Sequence, residues 1–146
     1  MNIPEPLHAY EKPTLLAVCD NEHARFFHLL DRELTEAGEI RIEHASKDGD
    51  DRASGVTSGG GHFAAMSEKL EDQSEKRFAK MLAQELHHRL QKHEFEDLIL
   101  TIPEPRKNEF VDVLHNDVRA RLVSTVGKSL TKEPIVEILQ RIQKTD

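Results

Sequence analysis

Residues 59 to 62 read Gly59-Gly60-Gly61-His62 and run into a strongly helical pattern. Successive glycines can alternate backbone sign, so several amides can point at one spot and hold an anion. A histidine beside them could position water or act as a base near neutral pH. Two carboxylates, Asp20 and Glu104, each stand just beyond a short apolar run, where strands end. Metal-dependent phosphodiester cleavage needs several carboxylates around about two metal ions, and these are two candidates. The cations Arg25, Arg106 and Lys128 fall in the same neighbourhoods, with Thr131 close behind. Brought together, they would hold a phosphate or a carboxylate.

Other patterns carry less. Val126-Gly127-Lys128-Ser129 echoes the end of a phosphate-binding P-loop, but that motif needs a glycine five places before Gly127, where Leu122 stands. The nine histidines invite a metal reading. His87 and His88 are adjacent, however, and diverge by about 100° on a helix, while His93 is five residues further on. No metal and no cofactor is therefore expected. Cys19 is the single cysteine and lies in an apolar run, where it reads as a small buried hydrophobe. No Ser/His/Asp order or nucleophile elbow is present, so nothing points to covalent catalysis.

The elements that must position these residues follow from the hydrophobic pattern. Residues 1 to 13 contain Pro4, Pro6 and Pro13 and read as an extended arm ahead of one α/β domain over 14–146. Thr14 to Cys19 is a continuous apolar run suited to a strand buried on both faces. Asp20-Asn21-Glu22 supplies turn chemistry, and Ala24 to Leu30 resumes as a strand, making a hairpin. A third strand covers roughly Leu34 to His44. Residues 45 to 61 hold five of the chain's seven glycines with clustered charges, and form a Gly-rich loop expected to be mobile. Leu70, Phe78, Met81, Leu82, Leu86 and Leu90 then repeat at helical spacing, giving a long amphipathic helix ending near His93. Leu98 to Ile102 is a buried strand, 105–115 a helix, Val118 to Val126 a fifth strand and 133–144 a last helix, with Thr131 as its cap.

Three hairpin-linked strands followed by two crossovers make a mixed five-stranded sheet with packed helices, the element order of the ribonuclease H-like fold and of release-factor middle domains. If the first and fourth strands lie parallel and adjacent, Asp20 and Pro103-Glu104 finish at one sheet edge, where open α/β sheets bind ligands. Asp20, Arg25, Glu104, Arg106 and Lys128 would converge there, with Asp20 orienting Arg25.

The charge balance constrains the partner. Residues 1–100 hold 12 Lys+Arg against 20 Asp+Glu, and residues 101–146 hold 8 against 7, so −8 and +1 give the net −7. Bulk electrostatics therefore exclude a protein that coats nucleic acid, while the C-terminal third could carry a local basic face. The longest early apolar stretch, Leu15 to Cys19, is far shorter than the roughly 20 residues that span a bilayer. No membrane association is expected, and the lone cysteine and the absence of a leader pattern suggest a cytoplasmic protein.

The stretches LLAVCDNEHARFF, SGGGH before a helix of EKRFAKMLAQEL type, FEDLILTIPEP and VGKSLTKEPIVEIL, taken in order, resemble the bacterial host attachment protein family over roughly residues 14–144. That family looks related to bacterial versions of the archaeo-eukaryotic release factors. The resemblance implies a work surface of Asp20, Ala24, Arg25 and Phe26 with Lys128, Leu130 and Thr131. Release factors use Gly-Gly-Gln to help water attack peptidyl-tRNA, and here His62 stands where the glutamine would be. The expectation is a noncatalytic module that binds a ribosome, RNA or protein partner, with an anionic ligand at the sheet edge. Two enzymatic alternatives are a hydrolase of peptidyl-tRNA or a related ester using His62, and a metal-dependent nuclease using Asp20 and Glu104.

Overall fold

The computed structural model describes residues 1–42 and 63–145. The Gly-rich loop expected at 45–61, with Gly59, Gly60 and Gly61, and the adjacent His62 lie outside the described residues. The strands are β1 (Tyr10–Cys19), β2 (His23–Asp31), β3 (Glu33–Arg41), β4 (Asp97–Thr101) and β5 (Leu122–Val126). The helices are α1 (Phe63–Gln91), α2 (Lys107–Asp112), α3 (Asn116–Arg119) and α4 (Ile135–Thr145). The strands form one mixed sheet in the order β3-β2-β1-β4-β5, with β1–β2 and β2–β3 antiparallel and β1–β4 and β4–β5 parallel.

Two helical layers enclose this sheet, which explains why β1 reads as an unbroken apolar run. Strand side chains alternate between faces, so Leu15, Ala17 and Cys19 pack toward Phe78, Leu82 and Leu86 of α1. Leu16 and Val18 point the other way, toward Ile138, Leu139 and Ile142 of α4. In β4, Leu98 and Leu100 join the first cluster and Ile99 the second. Each fully buried Leu or Ile contributes about 1.5–3 kcal/mol of transfer free energy, so covering both faces makes the sheet's centre the most stable part of the fold.

The N-terminal segment, expected as an extended arm, packs onto the sheet. β1 starts at Tyr10, four residues before the expected Thr14, and its register with β2 shifts between Tyr10 and Thr14. Pro13, which has no ladder donor to give, falls inside that irregularity. Ile3 is buried against the α4 side of the sheet, and its amide donates to the Arg32 carbonyl at 2.7 Å. The Arg32 guanidinium returns hydrogen bonds to the carbonyls of Ile3 and Leu7.

Two further boundaries differ from expectation. The stretch 118–126 is not one strand: Val118 belongs to α3, a single turn that His115 begins by accepting the Asp117 amide at 3.1 Å, and β5 starts at Leu122. Side-chain capping by His115 wins over the β-propensity of Val118. The helix expected over 105–115 is a 3₁₀ turn, Glu104–Arg106, followed by the short α2. α1 stops where His93 takes a left-handed φ of 62°, close to the expected end.

β3 contains a bulge that its sequence did not announce. Arg25 pairs with Glu39 but Phe27 pairs with Glu36, so Ala37 and Gly38 together oppose Phe26. Gly38 takes a φ of 97°, a conformation costly for any residue with a Cβ. Arg89 of α1 occupies the concavity this bulge makes. It donates to the Ala37 carbonyl at 2.8 Å, pairs with Glu85 at 2.6 Å and lies 4.3 Å over the Phe26 ring.

Candidate functional site

The expected adjacency of β1 and β4 is present, so the carboxyl ends of β1, β4 and β5 share one edge of the sheet. Asp20 leaves β1 there, half-buried, and both of its carboxylate oxygens are engaged. Oδ1 accepts the Glu22 amide at 2.8 Å, closing an Asx-type turn into β2. Oδ2 accepts the Thr131 hydroxyl at 3.1 Å, across 111 residues of sequence. Thr131 was expected to cap α4; its hydroxyl goes to Asp20 instead.

Arg25 also reaches this loop, but not through Asp20. Its Nη1 donates to the Thr131 carbonyl at 2.9 Å and to that of Glu133 at 3.4 Å, and its guanidinium lies 5.1 Å over the Phe27 ring. The expected Asp20–Arg25 pair is thus replaced by two separate tethers on the 129–133 loop: a carboxylate on the hydroxyl and a guanidinium on the carbonyls. Between them lies an open cavity of about 500 Å³ lined by Asp20, Asn21, Glu22, Ser129, Lys132 and Glu133, with Thr131 in its wall. Three carboxylates against one ammonium make this cavity acidic.

The remaining residues of the expected cluster are distributed along the edge. Glu104 lays its carboxylate on Gly127 so closely that a Cβ there would sit 1.8 Å from Oε1. Its other oxygen is 3.7 Å from the Lys107 ammonium. The glycine of the VGKS stretch therefore admits a close side chain. Arg106 is paired with Glu109 at 2.7 Å, one helical turn on, and does not join Arg25 or Lys128. Lys128 faces sideways toward α4, where it lines a second concavity of about 280 Å³ with Glu137, Gln140, Arg141 and Lys144. This wall carries three cations and one carboxylate, all exposed. Convergence of Arg25, Arg106 and Lys128 on one spot is therefore corrected: neighbouring carboxylates and carbonyls claim the first two.

Of the surface implied by resemblance, Ala24, Phe26 and Leu130 are buried at 0%, 1% and 3% exposure and serve the core. Cys19, beside Asp20, is also fully buried; burial pushes its thiol far above the ordinary range and the Asp20 charge adds to the shift. It is thus no nucleophile. Arg141 and Lys144 were missed in the sequence because they appeared only as the polar face of the last helix. Their i, i+3 spacing, with Lys128 at the end of the preceding strand, was the available signal.

Among the described residues, no helix is long and apolar enough to cross a membrane. No curated protein matches the sequence. In three dimensions the chain is similar to the archaeal translation termination factor aRF1, with a TM-score of 0.49 and 15% identity over 88% of this chain and 36% of that one. It is also similar to Dom34 of S. cerevisiae, a translation termination-like factor involved in RNA quality control pathways and interacting with Hbs1, with a TM-score of 0.45 and 13% identity over 97% of this chain and 39% of that one. The chain thus spans little more than a third of either protein. The profile of the family described as "Protein required for attachment to host cells" matches residues 15–142, most of the strands and helices set out above, and the chain belongs to that family.

Proposed function

We propose that this protein serves the attachment role named in its family's description as a noncatalytic binding module, and that its partner is RNA, held through phosphates on the wall formed by Lys128, Arg141 and Lys144. The observation that carries this reading is the gathering of three exposed cations around one concavity, where Glu137 is the one carboxylate among the described lining residues, on a protein of net charge −7. A net charge of −7 disfavours contact with a polyanion on average, which would favour a local cationic wall as the place of contact. A noncatalytic role is supported by the work that the reactive groups among the described residues already do. Asp20 spends both oxygens on tethers, Glu104 lies against Gly127 and Lys107, and Cys19 is sealed in the core. We assign the protein to the cytoplasm, where its single thiol meets a reducing environment and RNA is at hand; attachment would then follow indirectly.

The test is a fluorescence-anisotropy titration of a labelled single-stranded RNA across a range of salt, with wild type and the double variant Lys128→Ala/Lys144→Ala. Both side chains are exposed, so each change should alter stability by less than about 0.5 kcal/mol. Loss of two phosphate contacts should weaken binding and reduce the slope of log K against log salt by about 1.4. Equal affinity and slope in the two proteins would overturn the proposal.

A further inference from the structure

At the opposite edge of the sheet, near the amino ends of β4 and β5, the fold brings together three side chains that sequence spacing kept apart. His87 sits on the penultimate turn of α1, while His115 and Asp117 flank the start of α3. One ligand atom from each lies within 4.8 Å of the other two. We infer that His87, His115 and Asp117 form a binding site for a borderline transition-metal ion of the Zn²⁺, Co²⁺ or Ni²⁺ class.

The donor set is two imidazoles and one carboxylate, which suits those metals rather than Mg²⁺ or Ca²⁺. Ligand atoms around a tetrahedral zinc lie about 3.3 Å apart, so the atoms here need to close by at most about 1.5 Å (4.8 minus 3.3). His115 Nδ1 and Asp117 Oδ2 are already 3.8 Å apart. His115 and Asp117 are exposed and His87 is half-buried, so rotation of side chains without movement of the core can supply the difference. The two imidazole rings now stack face to face, with centroids 4.0 Å apart and planes 12° apart. Parallel rings aim their nitrogen lone pairs side by side, so binding exchanges the stack, and the Asp117 amide's bond to His115, for metal bonds. Three protein ligands would leave a fourth position open, and a cavity of about 460 Å³ adjoins His87 and Asp117, with Gln91, His93 and Arg121 in its wall. The ion would clip α1 to α3. This site is independent of the RNA-binding wall, which belongs to α4 on the other face of the sheet from α1.

The experiment is a titration of the full-length protein with Co²⁺, followed by the visible d–d absorption of a low-coordinate ion, with Zn²⁺ as competitor. A thermal melt with and without Zn²⁺ runs in parallel. The variants are His87→Ala, Asp117→Asn and, as a control on the adjacent exposed residue, His88→Ala. Wild type and His88→Ala should bind one equivalent and gain melting temperature with Zn²⁺. His87→Ala and Asp117→Asn should each lose affinity by about tenfold or more, along with the thermal gain. If either variant melts lower without metal, the Co²⁺ titration at low temperature still reads the site. No saturable binding, or equal loss in His88→Ala and His87→Ala, would show a stacked histidine pair serving the fold alone and would overturn the inference.

Discussion

Replacing Arg25 by alanine should destabilise the protein by about 2–3 kcal/mol. The hydrogen bond from the guanidinium to the Thr131 carbonyl, at 2.9 Å and with a charged donor on a half-buried side chain, accounts for about 1.5–2 kcal/mol. The contact to the Glu133 carbonyl, at 3.4 Å, is near the limit of a hydrogen bond and adds little. Stacking at 5.1 Å over Phe27 contributes about 0.5–1 kcal/mol. For a chain of this length each kcal/mol moves the melting temperature by about 2–4 °C, so the midpoint should fall by about 4–12 °C. Urea denaturation gives the free energy directly, and the variant Arg25→Lys should recover only part of it, because an ammonium neither stacks as a plane nor reaches two carbonyls. Local release of the 129–133 loop should also appear as faster amide exchange at Glu133, whose amide now bonds the Leu130 carbonyl. A loss below about 0.5 kcal/mol in Arg25→Ala, the range of ordinary surface changes, would refute the reasoning.

His93 ends α1 at a φ of 62°, so His93→Gly should relieve about 1 kcal/mol of backbone strain; a lower urea midpoint would show that the ring itself holds the helix end. Gly127→Ala should be tolerated, with a stability change under about 1 kcal/mol, because the atom in the way is the tip of a mostly exposed Glu104 that can swing aside. A larger loss in a denaturation curve would mean that the backbone at 127 cannot accept a Cβ. Cys19, buried with its thiol pushed up, should resist an aromatic disulfide reagent in the native state and react once unfolded. The same shift makes the alkaline limb of stability fall as pH rises past the unfolded thiol's pKa of about 8.5, since only the unfolded chain then gives up its proton. Rapid native-state labelling would contradict the burial.

The strands at the centre of the sheet were legible because residues covered on both faces leave an unbroken apolar run, as in Leu15 to Cys19 and Leu98 to Leu100. From that, the parallel pairing of β1 with β4 and the shared edge carrying Asp20 and Glu104 followed. The edge of the fold was less legible. Val118 carries the same apolar signal in a helix as in a strand, and only the His115 cap decides between them. Gly38 marks a bulge that a short strand pattern hides, and its partner Arg89 is 51 residues away. The site was harder still, because the choice of partner for each cation is a tertiary matter. Arg106 takes Glu109 three residues on, Arg25 takes carbonyls more than a hundred residues on, and Lys128 is left to face Arg141 and Lys144. The histidines show the same limit, since His87 meets His115 and Asp117 across two helices and a strand, which no local spacing reveals.

Ultraviolet crosslinking of the full-length protein to RNA in cells, with mass-spectrometric mapping of the crosslinked peptides, tests the central claim most directly. Crosslinks on the peptides bearing Lys128 and residues 140–144, absent from the Lys128→Ala/Lys144→Ala variant, are the predicted result. A protein that carries no RNA, or whose crosslinks fall around Asp20 and Glu22 and persist in that variant, would contradict it.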